Sequence, residues 1–408
     1  MSCHDWITRQ APPKLRRSPV PQLSCQLAGT CLLLYTPHPT PLTATMKPVV
    51  GLLAVAGLVY RAWARKSLTP LGLIVAGASA TAHALHPWST PFALLAVFYY
   101  GGTKVTKVKH EIKAQKTLSA TGSEGGEGPR NHLQVLANSV VATVLSIAHA
   151  VVLSKSSPSE SCFSLGQSPA DIFMVGIVAN YAAVAADTFS SELGILSKSN
   201  PRLITSLTLR EVPPGTNGGV TAAGLGAGLL GSFTVALTSA LVLPFCPRNS
   251  SIQDRALWTV AMTCWGLLGS VLDSVLGGLL QASVVDKRSG KVVEGSGGRK
   301  VLIHPSSTKP AGTTGNGPSA EVSGSTHLRN TEAVANAATL RGSRTTGTSV
   351  GTQGGRPHDE SHESRRLETG RDWLDNNGVN LLMAFLMSVG AMGISQWTWG
   401  VDVRELWV

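Results

Sequence analysis

Charged and aromatic residues are scarce in this chain of 408 residues. Asp, Glu, Lys and Arg make up only 14% of it and aromatic residues 5%, whereas hydrophobic residues reach 43%. About one quarter of a typical soluble domain is charged, and the mean hydropathy of this chain is positive, at +0.14. Its 43 glycines suit closely packed membrane helices. This composition excludes a soluble globular enzyme.

Long hydrophobic runs are what the chain has instead. A run of about 18 or more apolar residues predicts a membrane helix, and lipid-exposed irregular backbone is not tolerated within a bilayer. We therefore predict an all-α fold, a polytopic membrane helical bundle with about seven or eight transmembrane helices. The clear spans are 133–153, 171–188, 219–245, 256–281 and 378–397. The shorter or interrupted spans are 48–60, 70–85 and 89–102.

Basic residues orient this bundle. With eight spans, the loops rich in Lys and Arg lie on one side, which the positive-inside rule makes cytoplasmic. These loops are 61–69, 103–132 and 189–218. The glycosylation sequon at Asn249 and the two cysteines Cys162 and Cys246 map to the other side, so a weak glycosylation site and a disulfide are possible there. We expect an integral protein of the endoplasmic reticulum or another endomembrane.

Two segments depart from the membrane pattern. Residues 1–45 are rich in proline and predict either a disordered extension or a chain that starts at Met46. Residues 282–374 are rich in Gly, Ser, Thr and basic residues, which predicts a disordered cytoplasmic loop between the membrane segments 46–281 and 375–408. We interpret the net charge of +11 as attraction to anionic lipid head groups in the bilayer, with no nucleic-acid partner.

Polar residues gather in four places along the spans. Ionisable groups inside membrane helices are costly and are usually functional. The clusters are 187–194, 213–220, 269–278 and 375–380. The predicted orientation brings all four to the cytoplasmic face. We expect Gly224, Gly226, Gly228 and Gly231 to serve in helix packing, and we assign them no chemical role.

Each cluster suggests a chemistry and has a simpler alternative. The glycine-rich cluster could bind phosphate through backbone N–H groups, with Thr216 or Asn217 capping the next helix, or it could be a plain turn. The carboxylates could hold Mg²⁺, which prefers carboxylate and phosphate oxygens. Taken alone, Asp375 is more often a helix N-cap and Glu192 a solvated or capping residue. For Asp273, an exposed or hydrogen-bonded group among small residues is the less frequent alternative. The glycine-rich cluster lacks the Walker spacing, and no Cys-x-x-Cys pair gives a zinc site.

These motifs resemble the transmembrane protein 19 family, an integral membrane family long labelled as a domain of unknown function. The stretches that carry the resemblance are 68–72, 102–107, 187–194, 212–220, 269–278 and 374–380. The resemblance covers nearly all of 47–400 apart from the insertion 287–370. It implies an activity like that of the plant branch, which includes phytyl-phosphate kinase, whereas the animal branch has no settled activity. The functional positions it implies are Asp187, Glu192, Asn217, Asp273, Asp375 and Asn376.

The resulting hypothesis is a prenyl-phosphate kinase that uses Mg²⁺ with CTP or ATP and phosphorylates an isoprenoid monophosphate. Its catalytic residues are Asp187, Glu192, Asp273 and Asp375, of which Mg²⁺ binds Asp187, Asp273 and Asp375. Nucleotide phosphates bind Gly215, Thr216, Asn217, Gly218 and Gly219. The acceptor phosphate is oriented by Ser190, Glu192, Asn376 and Asn377, and the lipid chain lies among glycine-faced helices. The alternatives are a transporter of an anionic or ion-coupled solute, or a non-catalytic membrane protein.

Overall fold

A computed structural model describes residues 48–120, 128–155, 162–249, 251–301 and 365–401. The predictions for residues 1–45 and for the middle of the polar loop, 302–364, lie outside these ranges. The helices are α1 Pro48–Ala64, α2 Pro70–Ala84, α3 Thr90–Lys107, α4 His110–Ala114, α5 His132–Lys155, α6 Asp171–Gly194, α7 Ala222–Val242, α8 Ile252–Leu280 and α9 Asn376–Trp399. The strands are β1 Thr117–Ser119, β2 Arg202–Leu203, β3 Gly219–Val220, β4 Ser283–Asp286, β5 Val292–Glu294 and β6 Arg365–Thr369.

Each predicted span corresponds to one helix, with ends that differ by a few residues. In the described part of the chain, the helices α5, α6, α7, α8 and α9 are long and apolar enough to cross a membrane. Helices α1 and α2 are apolar but shorter, and α3 carries Lys104 and Lys107 in its last turn. The clear spans are thus reproduced, and the count of seven or eight transmembrane helices stays a prediction.

Helix starts are fixed by side-chain caps. Thr69, Thr221 and Asp375 precede α2, α7 and α9, and each accepts a hydrogen bond from a backbone N–H in the first turn. The prediction that Thr216 or Asn217 caps α7 is wrong, because the turn that contains them ends before Thr221. Asp375 is the N-cap of α9, as its alternative interpretation predicts.

Helix α6 is the centre of the bundle. Its apolar residues between Asp171 and Phe189 are buried, because α3, α5, α7, α8 and α9 all pack around it. A helix that is apolar on every face is typical of such a position. Polar groups on α6 are therefore enclosed by protein, except where its C-terminal end reaches the surface of the bundle.

Glycines allow α7 to lie close to α6. A Cβ atom added at Gly231 would come within 2.5 Å of the Ala185 carbonyl oxygen. At Gly228 and Gly224 it would come within 3.2 and 3.3 Å of carbonyl oxygens of α6, whereas at Gly226 it would meet open space. The predicted packing role is confirmed for the glycines on the α6 side and is wrong for Gly226.

A small sheet corrects the prediction of a purely α-helical chain. Strands β4 and β5 form a hairpin in which Val284–Val285 pairs with Val292–Val293, and all four valines are buried. Strands β1 and β6 extend it to the order β1-β5-β4-β6. In the hairpin turn, hydrogen bonds from Ser289 hold the pKa of the Asp286 carboxyl below its usual value. Both ends of the loop 282–374 thus form strands. The paired valines bury an apolar face of the sheet, and the polar average composition of the loop gives no sign of it.

The bundle end at which α6 begins is closed by a disulfide. Cys162 and Cys246 are joined, with their Cα atoms 5.0 Å apart, so the disulfide that the sequence permits is present. The adjacent rings of Phe163 and Phe245 pack edge to face at 5.3 Å. Asn249, whose predicted glycosylation stays a prediction, ends the short 3₁₀ turn Pro247–Asn249 at this same end.

Candidate functional site

A polar cavity of about 710 Å³ lies at the opposite end of the bundle, where α6 and α8 finish and α7 and α9 begin. All four polar clusters of the sequence reach its wall. The predicted site residues that line it are Asp187, Ser190, Glu192, Gly215, Thr216, Asn217, Gly218, Gly219, Asp273, Asp375, Asn376 and Asn377. The structure therefore brings together every residue that the kinase hypothesis uses.

Two carboxyl groups meet on the wall of this cavity. Asp187 of α6 and Asp273 of α8 lie within hydrogen-bonding reach of each other. The helices approach closely here because Gly269 leaves no side chain between them, and a Cβ added there would lie 2.5 Å from that of Ala183. Like charges repel strongly where water is scarce, so the pair requires a shared proton or a bound cation.

Asn380 supports this pair and was given no role in the sequence analysis. With its amide nitrogen turned toward the acceptors, it donates to Asp273 Oδ1 at 3.2 Å and to the Asn376 carbonyl oxygen at 3.1 Å. It lies one turn into α9 from Asn376. In the sequence, the only indication of this role is that Asn380 belongs to the polar cluster 375–380. The N-terminal part of α9 thus positions one carboxylate of the pair.

The third predicted Mg²⁺ ligand has a different contact. Asp375 Oδ1 accepts a hydrogen bond from the Gly378 N–H at 2.8 Å and caps α9. Within the described ranges, no group of three or more His, Cys, Asp or Glu side chains is placed to hold a metal ion. The predicted trio of Asp187, Asp273 and Asp375 is therefore not a preassembled site. A pair of carboxylates still fits Mg²⁺, which commonly binds one or two carboxylates with substrate phosphates and water.

Glu192 is held by Lys113 and by the Thr106 hydroxyl. Lys113 Nζ lies 2.5 Å from Glu192 Oε2, and the Thr106 hydroxyl donates to Glu192 Oε1 at 2.9 Å. Arg130 Nη2 donates to the same Thr106 hydroxyl at 3.1 Å. Both carboxylate oxygens are engaged, and a carboxylate repels phosphate, so the predicted role of Glu192 in orienting the acceptor is replaced by anchoring Lys113.

The cavity consequently has an acidic side and a basic side. We call Lys113 and Arg130, with the Glu192 carboxylate between them, the basic wall. Two cations and one carboxylate leave it a net positive charge, which favours phosphate. In the sequence, Lys113 and Arg130 stand out only as basic residues that orient the bundle, because the positive-inside rule and phosphate binding select the same residue types beside a membrane.

The glycine-rich turn forms part of the wall but is not an open phosphate cradle. The backbone N–H groups of Thr216, Asn217 and Gly219 already donate to acceptors within the protein at 2.9–3.2 Å. Gly218, at φ +80°, lies against α8, where an added Cβ would come within 2.8 Å of the Gly278 Cα atom. Three of the predicted donors are therefore engaged, and the alternative of a plain turn describes this segment.

A second glycine-rich turn lines the cavity within the segment that was predicted to be disordered. Residues 295–298 lie against the start of α9, where Asn377 Nδ2 donates to the Gly297 carbonyl oxygen at 3.0 Å. Arg299 and Lys300 follow directly and also reach the cavity. Asn377 thus holds this turn, which corrects its predicted contact with the acceptor phosphate. The signal available in the sequence was the run Gly-Ser-Gly-Gly-Arg-Lys.

Comparison with known proteins gives the chain a family context. Residues 53–388 match the family described as Integral membrane protein DUF92. The chain is 36% identical over 242 residues to Protein PGR of Arabidopsis thaliana, in an alignment that covers 58% of this chain and 80% of that protein. No solved structure matches it.

Two further relatives are more distant. Uncharacterized membrane protein MJ0933 of Methanocaldococcus jannaschii is 31% identical over 188 residues, which are 46% of this chain and 64% of that protein. Protein VTE6, chloroplastic, of Arabidopsis thaliana is 29% identical over 164 residues, which are 40% and 44%. The resemblance seen in the sequence motifs is thus confirmed at the level of an integral membrane family.

Proposed function

Because the chain belongs to the family Integral membrane protein DUF92, we propose that it is a membrane-embedded kinase of isoprenoid monophosphates that uses CTP or ATP. The observation that carries this proposal is the polar cavity, in which a carboxylate pair and the basic wall lie at the end of an apolar bundle. Such a site suits a substrate with phosphate groups and a hydrocarbon chain. The resemblance to a family that includes phytyl-phosphate kinase supports the same substrate class.

The carboxylate pair is the proposed Mg²⁺ site. Asp187 and Asp273 offer hard oxygen ligands from two rigid helices, and Asn380 fixes the orientation of Asp273. When bound, Mg²⁺ supplies neutralisation of the nucleotide phosphate charge. Asp375 remains a proposed neighbour of this site through its place on the cavity wall, with one oxygen already used by the helix cap.

The basic wall is the proposed position of the phosphate groups during transfer. An oxygen of the isoprenoid monophosphate attacks the γ-phosphorus of the nucleotide as the bond to the bridging oxygen breaks, and the nucleoside diphosphate leaves. Arg130 would donate hydrogen bonds to the phosphate oxygens. The Lys113 ammonium, whose donors are taken by Glu192 and by the Val105 and Thr106 carbonyl oxygens, would contribute positive charge. No general base is needed, since a phosphate monoester already carries negative charge near neutral pH.

The position of the disulfide supports a cytoplasmic site. Disulfides persist in oxidising compartments, so the end with Cys162 and Cys246 would face the lumen of an endomembrane such as the endoplasmic reticulum. The cavity, at the other end of the same helices, would then face the cytoplasm, where nucleoside triphosphates are found.

Phosphoryl transfer by the detergent-purified protein tests the proposal. The assay combines γ-labelled CTP or ATP, Mg²⁺, and phytyl, farnesyl or geranylgeranyl monophosphate. We expect labelled diphosphate from the native chain and from Asp254→Asn, which changes a carboxyl at the far end of α8, but not from Asp187→Asn. Absence of product with every pair, from protein shown to be folded, would overturn the proposal.

A further inference from the structure

A second cavity, of about 340 Å³, lies among α1, α2, α3 and α5. Its walls are mainly apolar. The apolar side chains that line it include Leu58, Leu73, Ala76, Leu95, Phe98 and Val135. We call it the apolar groove. Ligand pockets measure roughly 300–1,000 Å³, and this volume lies near the lower end of that range. It therefore suits a hydrocarbon chain better than a chain together with its head group.

The apolar groove adjoins the polar cavity. Thr106, Arg130 and Gln134 line both. The Arg130 guanidinium, bonded to the Thr106 hydroxyl at 3.1 Å, thus stands where the apolar and polar spaces meet. A ligand that places a phosphate beside Arg130 has an apolar path on one side and the carboxylate pair's cavity on the other.

The groove also lies at the edge of the bundle. Helix α1 packs on α2, and its residues Val50 and Leu53 are exposed. By contrast, the glycine-faced helix α7 is packed closely on α6, where a Cβ added at Gly231 would come within 2.5 Å of the Ala185 carbonyl oxygen. An apolar chain could therefore reach the groove from the surrounding lipid without crossing the core of the bundle.

We propose that the apolar groove binds the hydrocarbon chain of the isoprenoid monophosphate, with its phosphate beside Arg130. This inference rests on the proposed function for the identity of the ligand. It moves the predicted lipid site away from the glycine-faced helices. The lysines and arginines that line the groove are Arg65, Lys66, Lys107 and Arg130. Only Arg130 among them also lines the polar cavity, which places the anionic end of the chain there.

Photo-crosslinking of the full chain locates the hydrocarbon. The probe is geranylgeranyl monophosphate with a diazirine at the end of its chain, and labelled peptides are mapped by mass spectrometry. We expect label on segments 58–80 and 95–99, which unlabelled geranylgeranyl monophosphate displaces. Label confined to outward-facing residues of α7 or α8, or label that is not displaced, would overturn the proposal that the groove binds the chain.

A matched pair of variants on α2 provides the second readout. Ala76→Trp fills the groove, whereas Ile74→Trp adds the same side chain at a position that is 68% exposed. We expect Ala76→Trp alone to weaken binding of geranylgeranyl monophosphate by about tenfold, because part of the chain loses its apolar contacts. Equal binding by both variants would overturn the inference, and the crosslinking map decides if Ala76→Trp fails to fold.

These binding measurements separate the two proposals. Displaceable label in the groove without any phosphoryl transfer would reject the kinase and keep the lipid site. Phosphoryl transfer by a protein that is labelled elsewhere would keep the kinase and reject the groove.

Discussion

The two ends of the bundle contain buried carboxylates in opposite situations. At the disulfide end, Asp171 accepts three hydrogen bonds, from the Ser164 N–H at 3.0 Å, the Ser164 hydroxyl at 2.7 Å and the Gly166 N–H at 2.9 Å. At the cavity end, Asp187 and Asp273 face each other with one amide as support. A carboxylate that accepts three hydrogen bonds from one loop stabilises that loop, whereas a like-charged pair in an open cavity favours a ligand.

The same contrast extends to the cations. At the cavity end, Lys113 and Arg130 surround one carboxylate and leave net positive charge. At the disulfide end, the ionisable histidine His86 is packed against His149, with 3.0 Å between ring nitrogens, and burial lowers its pKa to about 4. It is therefore neutral near pH 7. One end of the molecule thus holds charge for a ligand, whereas at the other end His86 is neutral and the Asp171 carboxylate is tied into the fold.

The largest expected effect comes from breaking the pair at the cavity end. Asp273→Asn should lower phosphoryl transfer by roughly 10²–10³-fold, as loss of a preorganised charge does elsewhere. The melting temperature should not fall, because the substitution relieves repulsion within the pair. Activity and thermal melting are measured on the same preparation. A melting temperature that falls in step with activity would make the pair structural.

The opposite pattern is expected at the disulfide end. Asp171→Ala leaves the Ser164 and Gly166 donors without their acceptor and should lower the free energy of unfolding by roughly 1–3 kcal/mol. Asp171→Asn, which keeps a side-chain oxygen, is the matched control and should lose less. Transfer activity per folded molecule should stay unchanged in both variants. A specific loss of activity here would remove the distinction between the two ends.

The sequence predicts the carboxylate pair well and its surroundings poorly, for physical reasons. Asp187 and Asp273 stand out because an ionisable residue in an apolar run is costly wherever its helix packs. The state of the Asn217 N–H does not follow from its neighbours, because its acceptor Ser283 is 66 residues away in the chain. In the same way, the hairpin of β4 and β5 is concealed by the polar residues that surround its valines.

The smallest expected effect is a dependence of stability on pH that originates at the disulfide end. The pKa of His86 is about 4 in the folded chain and 6.5 ordinarily, so between these values the unfolded chain binds the extra proton. Stability contributed by this residue is therefore present above pH 6.5 and falls as the pH decreases toward 4, by at most about 1.4 kcal/mol per pH unit.

Thermal melting between pH 7.5 and 5 measures this slope. His86→Gln keeps hydrogen-bonding groups near Trp88 but does not titrate, so its melting temperature should fall less over this range than that of the native chain. Groups that do not contact His86 contribute a slope common to both proteins, so the difference between the two slopes reports the titration of His86 together with its hydrogen-bonded neighbour His149. Identical slopes would mean that His86 is accessible to protons in the folded chain, and the contrast between this neutral histidine and the cations of the cavity end would be lost.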